Sequence, residues 1–410
     1  MAEHGSNSRP DRHALVTGGA GFIGSHLVDA LLAEGWHVTV VDTLETGRRD
    51  NLPASAPGFT FVESALGEAI ESGSLDGGHF SEIYHMAASV GVKRIMDNQV
   101  ASIRTNVEET STLLRWVANG QDWSRRHKPA TDVDGQTGAA AAKVLIASSS
   151  EVYGKSAKAP FSEDDDVLYG NTTVHRWSYA CAKAIDEFLA LAYFREQQMP
   201  VVVARLFNTV GPRQLGSYGM VLPNFVASAL AGRELVIHGD GQQSRCFCDV
   251  RDVRDALLAL VAGAETSGRV FNIGSADSIS IVDLARRVIS VLGSRSAISF
   301  VSYEQAYGPG FEDLRQRQPD LSRICGATPW RPRISLDQTI QDIAAEQIES
   351  EAGGSKSASK SATGSEPGPS AGSSADSSAS LAGRVVITSS SVARLAAPKL
   401  GAPTGKEIRS

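Results

Sequence analysis

The sequence predicts an α/β protein: a doubly wound parallel sheet, a smaller C-terminal lobe that binds substrate, and a disordered C-terminal tail. Three observations predict it. From His13 to about Ala345, short β-branched runs alternate with longer amphipathic stretches, and repeated βα units imply a parallel sheet covered on both faces. A glycine-rich turn follows the first run directly and opens the first helical stretch. After Ala352 the composition changes abruptly.

His13–Thr17, His37–Asp42, Phe59–Glu63, Glu82–Met86, Lys143–Ser148 and Pro200–Leu206 read as strands, each followed by a helix or loop. The polar stretch Gln121–Ala142 breaks this rhythm and reads as a surface insertion without chemistry. After Gly211 the elements become irregular: strand-like Glu234–His238 and Arg269–Ile273 and a helix over Ser280–Leu292 suit a second lobe. The nucleotide-binding core is therefore expected mainly in residues 13–210 and the substrate lobe mainly in 211–345, with the ligand in the cleft between them.

Residues 352–410 hold 15 Ser, 11 Ala and 8 Gly and no aromatic residue, too little apolar surface to offset the entropy of ordering, so this segment reads as a disordered tail. Seven Lys or Arg against three Asp or Glu give the tail +4; the whole chain carries −7, which leaves the rest at −11. An anionic ligand must then be held by a few local arginines and helix N-termini, and no nucleic-acid footprint is present. Four scattered cysteines of the 410 residues suit neither a disulfide framework nor a zinc site. A polar start, Met1–Arg12, and the lack of a long apolar run point away from a membrane and to the cytoplasm.

The turn reads Gly18-Gly19-Ala20-Gly21-Phe22-Ile23-Gly24. Gly18, Gly21 and Gly24 permit a tight turn, close approach of backbone to a pyrophosphate and close helix-on-strand packing, while the helix N-terminus faces the phosphates. Asp42 ends the second strand 18 residues past Gly24, where a carboxylate accepts hydrogen bonds from an adenosine ribose and repels a 2′-phosphate. These features predict a Rossmann-type site for NAD, although Arg48 and Arg49 nearby leave NADP open.

Tyr179 and Lys183 stand one helical turn apart on one face. An ammonium beside a phenol lowers the phenol's pKa from about 10, so Tyr179 is expected to act as a base near neutral pH. About 30 residues upstream, a strand end runs into Ser149-Ser150-Glu151-Val152-Tyr153-Gly154. Carboxyl ends of strands in such a sheet face the ligand crevice, so Ser149 can share a proton with the hydroxyl that Tyr179 deprotonates.

Together with His85-Met86-Ala87-Ala88, Thr105-Asn106-Val107 and Arg205-Leu206-Phe207-Asn208-Thr209-Val210-Gly211-Pro212-Arg213, these stretches resemble the extended short-chain dehydrogenases/reductases that act on nucleotide sugars, over residues 13–345. The resemblance implies a tightly held NAD that oxidises the sugar at carbon 4, with Gly18, Gly21, Phe22, Ile23, Gly24, Asp42, Ala87, Tyr179 and Lys183 around the cofactor. It implies a homodimer built on the helix that bears Tyr179. Where relatives read Phe-Val-x-Gly-Asp, this chain has Phe61-Val62-Glu63-Ser64-Ala65, so the aspartate that commonly receives the adenine amino group is absent.

The family divides by the step taken after oxidation. Dehydratases of deoxythymidine-diphosphoglucose carry an Asp-Glu pair where this chain has Ser150-Glu151, and many 4-epimerases lack a carboxylate there. Ser-Glu-Val-Tyr-Gly resembles UDP-glucuronate decarboxylases, as do Arg176-Trp177-Ser178-Tyr179, the run from Arg245 to Asp252, and Tyr307–Asp313 leading into Arg317-Gln318-Pro319-Asp320. That branch implies a UDP-sugar substrate touched by Ser150, Asn208, Arg245 and Arg317, with Arg317 near the sugar carboxylate and diphosphate. Glu151 either orients the sugar or helps deliver a proton to carbon 5. A 4-epimerase of UDP-glucose or UDP-glucuronate remains the alternative, and a non-catalytic NAD-binding protein is a third reading. In the plainer view, Arg245 and Arg317 are surface ion-pair partners, Glu151 caps the turn after its strand, His85 is a packing residue, and Cys246 and Cys248 are core thiols.

Overall fold

The computed structural model describes residues 12–76, 78–88, 98–120, 142–216, 219–307 and 314–360, without side chains from 353 on. Contacts divide the chain into two units, 1–349 and 350–410. The supposed insertion, most of the Tyr307–Asp313 stretch and the tail beyond 360 lie outside the described residues.

The chain opens with β1 (His13–Thr17), α1 (Phe22–Ala33), β2 (His37–Asp42), β3 (Phe59–Glu63), α2 (Leu66–Glu71), β4 (Glu82–His85), α3 (Gln99–Gly120) and β5 (Lys143–Ser149). A single 3-10 turn, Ser150–Tyr153, leads toward α4 (Trp177–Gln197), β6 (Val201–Leu206) and β7 (Thr209–Val210). Then come α5 (Val221–Leu230), β8 (Leu235–His238), β9 (Ser244–Cys246), β10 (Cys248–Asp249), α6 (Val250–Ala262), β11 (Arg269–Ile273), β12 (Ser278–Ser280) and α7 (Ile281–Leu292). The last elements are β13 (Ile298–Val301), α8 (Tyr303–Tyr307), α9 (Ser322–Ala327) and α10 (Leu336–Lys360).

Seven strands form one sheet in the order β11-β6-β5-β4-β1-β2-β3. Every pairing in it is parallel. The chain starts in the middle at β1, runs outward to β3, and returns to the other side of β1 with β4. That reversal leaves a crevice at the carboxyl ends of β1 and β4, where ligands of open α/β sheets bind.

Both faces are covered, which is why the strands are apolar nearly throughout rather than alternating. On one face Leu27, Val28 and Leu31 of α1 pack with Val253, Leu257 and Leu260 of α6 and with Trp330. On the other, Leu113, Leu114 and Val117 of α3 meet Ala190 of α4, Ile146 of β5 and Val203 of β6. A third core joins α5, β8, α7 and α10 through Leu222, Phe225, Leu235, Ile237, Leu284, Val288 and Ile340 and makes the smaller lobe. Local signals set the helix starts there: the Ser280 hydroxyl accepts the Asp283 amide proton and caps α7, and the Asp249 carboxylate accepts from Arg251 N and caps α6.

Two expectations are corrected. Arg269–Ile273, read as part of the second lobe, is the edge strand β11 of the main sheet, paired with β6 from Arg269 opposite Val202 to Ile273 opposite Leu206. Its reach is long-range, and periodicity along the chain does not carry it. The tail begins later than composition suggests, because α10 runs on through residues 352–360; Ser, Ala, Gly and Lys do not forbid helix, and this stretch continues one already nucleated.

Candidate active site

A cleft of about 600 Å³ lies between the carboxyl ends of the sheet and the smaller lobe. Phe22, Ile23, Ser149, Ser150, Glu151, Tyr179, Asn208, Arg245 and Arg317 all line it, as does Arg176. Residues separated by almost 300 positions in sequence thus face one space. Gly18, Gly21, Gly24, Asp42, Ala87 and Lys183 stand behind this wall, at the dinucleotide end.

That end is shaped for close approach. Gly18 has φ +68°, and a Cβ on it would lie 2.7 Å from the Ala87 amide nitrogen; a Cβ on Gly24 would lie 2.3 Å from the Gly18 carbonyl oxygen. Only glycine lets α1 start against β1 and β4 in this way. Helix α1 has no side-chain cap and no acidic residue in its first turn, so its amide groups and positive dipole end are left for an anion. Asp42 accepts from Ala20 N at 2.9 Å and Leu44 N at 2.8 Å, which fixes its carboxylate at the end of β2; burial outweighs these two bonds and raises its pKa. The residues present fit a dinucleotide with an unsubstituted ribose. At the adenine side Ser64 is already engaged, its hydroxyl donating to the Ala65 carbonyl and toward Glu68.

A buried polar chain ties this end to α3. The Ala87 amide donates to Thr17 Oγ1 at 3.2 Å, and Thr17 Oγ1 lies 2.8 Å from His85 Nδ1. His85 Nε2 lies 3.1 Å from Thr110 Oγ1, which donates to the Asn106 carbonyl. With Thr110's proton so used, Nε2 carries the imidazole proton and Nδ1 accepts. Burial first, and the Lys183 charge second, push the His85 pKa down to about 3, so the ring is neutral and acts as a packing and hydrogen-bonding residue.

At the sugar end, Ser149 closes β5 and caps the 3-10 turn by accepting from Glu151 N at 3.2 Å. The cap is therefore Ser149 and not Glu151, whose carboxylate is free to point into the cleft. Its Oε1 meets Arg317 Nη1 at 2.7 Å and its Oε2 meets Arg176 Nη2 at 3.5 Å. Burial pushes this carboxyl up, but the charges of Arg317 and Arg176, and of Arg245 further off, outweigh it and hold the group below its ordinary value. Arg245 in turn spends part of its guanidinium on the carbonyls of Ser244 and Leu314, and Asn208 donates to the Cys246 carbonyl. Behind this wall the two thiols read as core are buried, and burial raises both.

Tyr179 departs from the sequence expectation. Burial and then the Glu151 charge push its phenol well above the ordinary value, against the downward pull of a hydrogen bond with Ser149. The ammonium expected to lower it is turned away: Lys183 Nζ lies 3.1 Å from Asp186 Oδ2, with both side chains buried. Helical spacing puts Tyr179 and Lys183 on one face, but it does not choose the partner of a long flexible side chain. A second buried carboxylate, Glu187, accepts from Ser148 Oγ and bidentately from Arg205, bracing α4 against β5 and β6.

Arg176 enters the sequence reading only as part of a decarboxylase-like stretch, and Asp186 not at all. Both were within reach: Arg176 precedes Tyr179 by three residues and Asp186 follows Lys183 by three, a spacing that shares a helix face.

The profile of the NAD dependent epimerase/dehydratase family matches residues 14–274. The UDP-N-acetyl-alpha-D-glucosaminuronate decarboxylase of Bacillus cytotoxicus is 36% identical over 332 residues, 81% of this chain and 96% of that one. UDP-glucuronic acid decarboxylase 1 of Xenopus tropicalis is 33% identical over 334 residues, 81% of this chain and 71% of that one. Among solved structures, the UDP-glucose 4-epimerase of Thermotoga maritima with UDP-glucose matches with a TM-score of 0.70 at 26% identity, covering 83% of this chain and 99% of that one. With a glycine-rich turn opening the first helix, a serine and a tyrosine facing one cleft, and relatives matched along most of its length, the chain belongs to the NAD-dependent epimerase/dehydratase family of nucleotide-sugar enzymes.

Proposed function

We propose that the protein decarboxylates UDP-glucuronate through a 4-keto intermediate. The observation that carries this reading is the arginine cluster: Arg317, Arg176 and Arg245 surround the single carboxylate of Glu151 in a cleft of an otherwise acidic protein. The diphosphate of any UDP-sugar can engage one of these guanidiniums; a sugar carboxylate gives the others a partner, which a neutral hexose does not, and guanidiniums pair with either anion through two parallel hydrogen bonds.

NAD, when bound, supplies the two-electron acceptor that oxidises carbon 4. Tyr179 takes the proton of the 4-hydroxyl, relayed or held by Ser149, as carbon 4 becomes a ketone. That ketone lies β to the carboxylate at carbon 6, and the carbon–carbon bond breaks with release of carbon dioxide, its electron pair moving to the oxygen on carbon 4 as an enolate. Tyr179, now protonated, and Ser149 stabilise that oxygen with hydrogen bonds in a largely dry site. Carbon 5 then receives a proton, and Glu151 is placed to orient the sugar or deliver it. Arg317 holds the carboxylate until it leaves, Ser150 flanks the sugar, and Arg245 and Asn208 stand on the diphosphate and uridine side.

The name of the Bacillus relative supports a second substrate, the 2-acetamido analogue, with the same chemistry at carbons 4 to 6. A 4-epimerase of a neutral sugar uses the same Tyr179 and Lys183 but gives Arg317 and Arg176 no sugar carboxylate to bind. Mass spectrometry of the products from UDP-glucuronate, its 2-acetamido analogue and UDP-glucose separates these readings. Loss of carbon dioxide from a sugar acid is the expected result. An isomer of unchanged mass establishes the epimerase instead.

We place the enzyme in the cytoplasm as a homodimer. Ile185 and Phe188 of α4 are 49% and 68% exposed, beside Val100 and Ile103 of α3 at 73% and 41%, an apolar face that a second copy would cover. Among the described residues no helix is long and apolar enough to cross a membrane.

A further inference from the structure

Among the described residues, the ion pair of Lys183 with Asp186 is the most deeply buried. Both side chains are almost wholly inaccessible, at 2% and 1%, and lie 3.1 Å apart. The Asp186 carboxylate meets the ammonium through Oδ2 and is also approached by the Thr110 hydroxyl. Among the described residues Asp186 is the one carboxylate within ion-pair distance of Lys183. A buried pair of this kind is weak evidence for stability, since apolar residues of similar volume often serve as well or better. Its place in the fold gives it another role: α4 carries Tyr179 four residues before Lys183 and Asp186 three after it, so one helix face presents base, ammonium and counter-charge in a row.

We propose that Asp186 is a positioning residue for the oxidation of carbon 4: its carboxylate fixes the Lys183 side chain on the face of α4 that also carries Tyr179. The surroundings make this necessary. Facing Lys183 are the neutral imidazole of His85 from β4 and the phenol of Tyr179 from α4; facing Asp186 are Glu187 of α4 and the hydroxyl of Thr110 from α3. None of these offers Lys183 another full negative charge. Without Asp186 nothing else in these surroundings would hold that long, flexible side chain in one orientation.

This inference rests on the functional reading above, in which Tyr179 and Lys183 serve the oxidation, and its test separates the two. Asp186→Asn removes the charge and keeps the shape. Expected are a dinucleotide affinity lowered about tenfold by titration calorimetry, the worth of one charge-assisted hydrogen bond, and a kcat on the sugar acid lowered about tenfold, with KM for the nucleotide sugar little changed. Asp186→Glu restores both toward wild type. In a Lys183→Met background, Asp186→Asn changes neither. Wild-type affinity and kcat in Asp186→Asn, with or without a lower melting temperature, overturn the proposal. If Asp186→Asn does not fold, Asp186→Ser, with room for a water, is held to the same outcomes. Wild-type protein that binds dinucleotide but converts no nucleotide sugar overturns the functional reading, and the calorimetric comparison then decides the role of Asp186.

Discussion

Glu151 and Arg317 meet at 2.7 Å in the cleft, and Arg176 closes on the other oxygen of the same carboxylate at 3.5 Å. A sugar acid that enters this cleft must share the guanidiniums with a negative charge already in place. Arg317→Met is expected to lower kcat/KM on UDP-glucuronate by about a hundredfold or more, in line with the roughly 2–5 kcal/mol lost when one partner of a buried charge pair is removed. Any conversion of UDP-glucose should fall far less. Product chromatography with both sugars checks this, and equal losses on both would remove Arg317 from carboxylate recognition.

Tyr179 is expected to remain a neutral phenol in the cofactor-free protein up to at least about pH 10, the ordinary tyrosine value, because burial and the Glu151 charge act in the same direction. Ultraviolet difference titration of wild type against Tyr179→Phe tests this directly. Phenolate from this residue near neutral pH without dinucleotide would show that Lys183 reaches it unaided.

His85 makes stability depend on acid. Its pKa is lowered in the folded protein to about 3 from 6.5, so below about pH 6.5 the unfolded chain takes up a proton that the folded one refuses. The contribution is fully present above that value and is lost as pH falls toward 3, at roughly 1.4 kcal/mol per pH unit. The melting temperature is expected to drop across this window, and to drop less steeply in His85→Gln. Parallel curves for the two proteins would exclude the effect.

Gly18→Ala sets a Cβ against Ala87 N and forces an L side chain into a left-handed backbone. Dinucleotide affinity should fall at least tenfold, with a loss of stability on the order of 1–3 kcal/mol. Gly67 in α2 has open space around its Cβ position, so Gly67→Ala serves as the control and should leave affinity unchanged while adding a few tenths of a kcal/mol or more of helix stability. Calorimetry and thermal melts read both.

Phe188→Asp places a charge in the exposed apolar face of α4. Sedimentation is expected to show a monomer for this variant and a dimer for wild type. A wild-type monomer, or a variant that still pairs, moves the contact elsewhere.

The eight runs read as strands match to within a residue, because parallel sheets buried on both faces leave dense β-branched stretches, and β1, β2, β3 and β11 begin and end where the pattern does; the short strands β7, β9, β10, β12 and β13 carry no such stretch and were not read. The glycine turn was equally legible, since Gly18 and Gly24 answer to a local backbone need. What could not be read was partnership. Arg269–Ile273 looks alike whether it joins β6 or a second lobe, and the choice is made by contacts some 65 residues apart. Lys183 sits correctly for Tyr179 by helical spacing, yet its ammonium turns to Asp186, and burial, followed by the Glu151 charge, sets the sign of the Tyr179 shift. Arg176 was visible as a residue but not as the second hand on Glu151, because that contact forms only once β5 and α4 stand side by side.

The edge strand β11 also bears on how the protein comes into being. During synthesis the ribosome releases β1 through β6 first, and β6 waits with one row of amide and carbonyl groups unpaired until residues 269–273 emerge. A nascent chain halted near residue 210 should therefore be sticky rather than an independent half, and a gene cut at that point should yield inclusion bodies unless the remainder is supplied in the same cell.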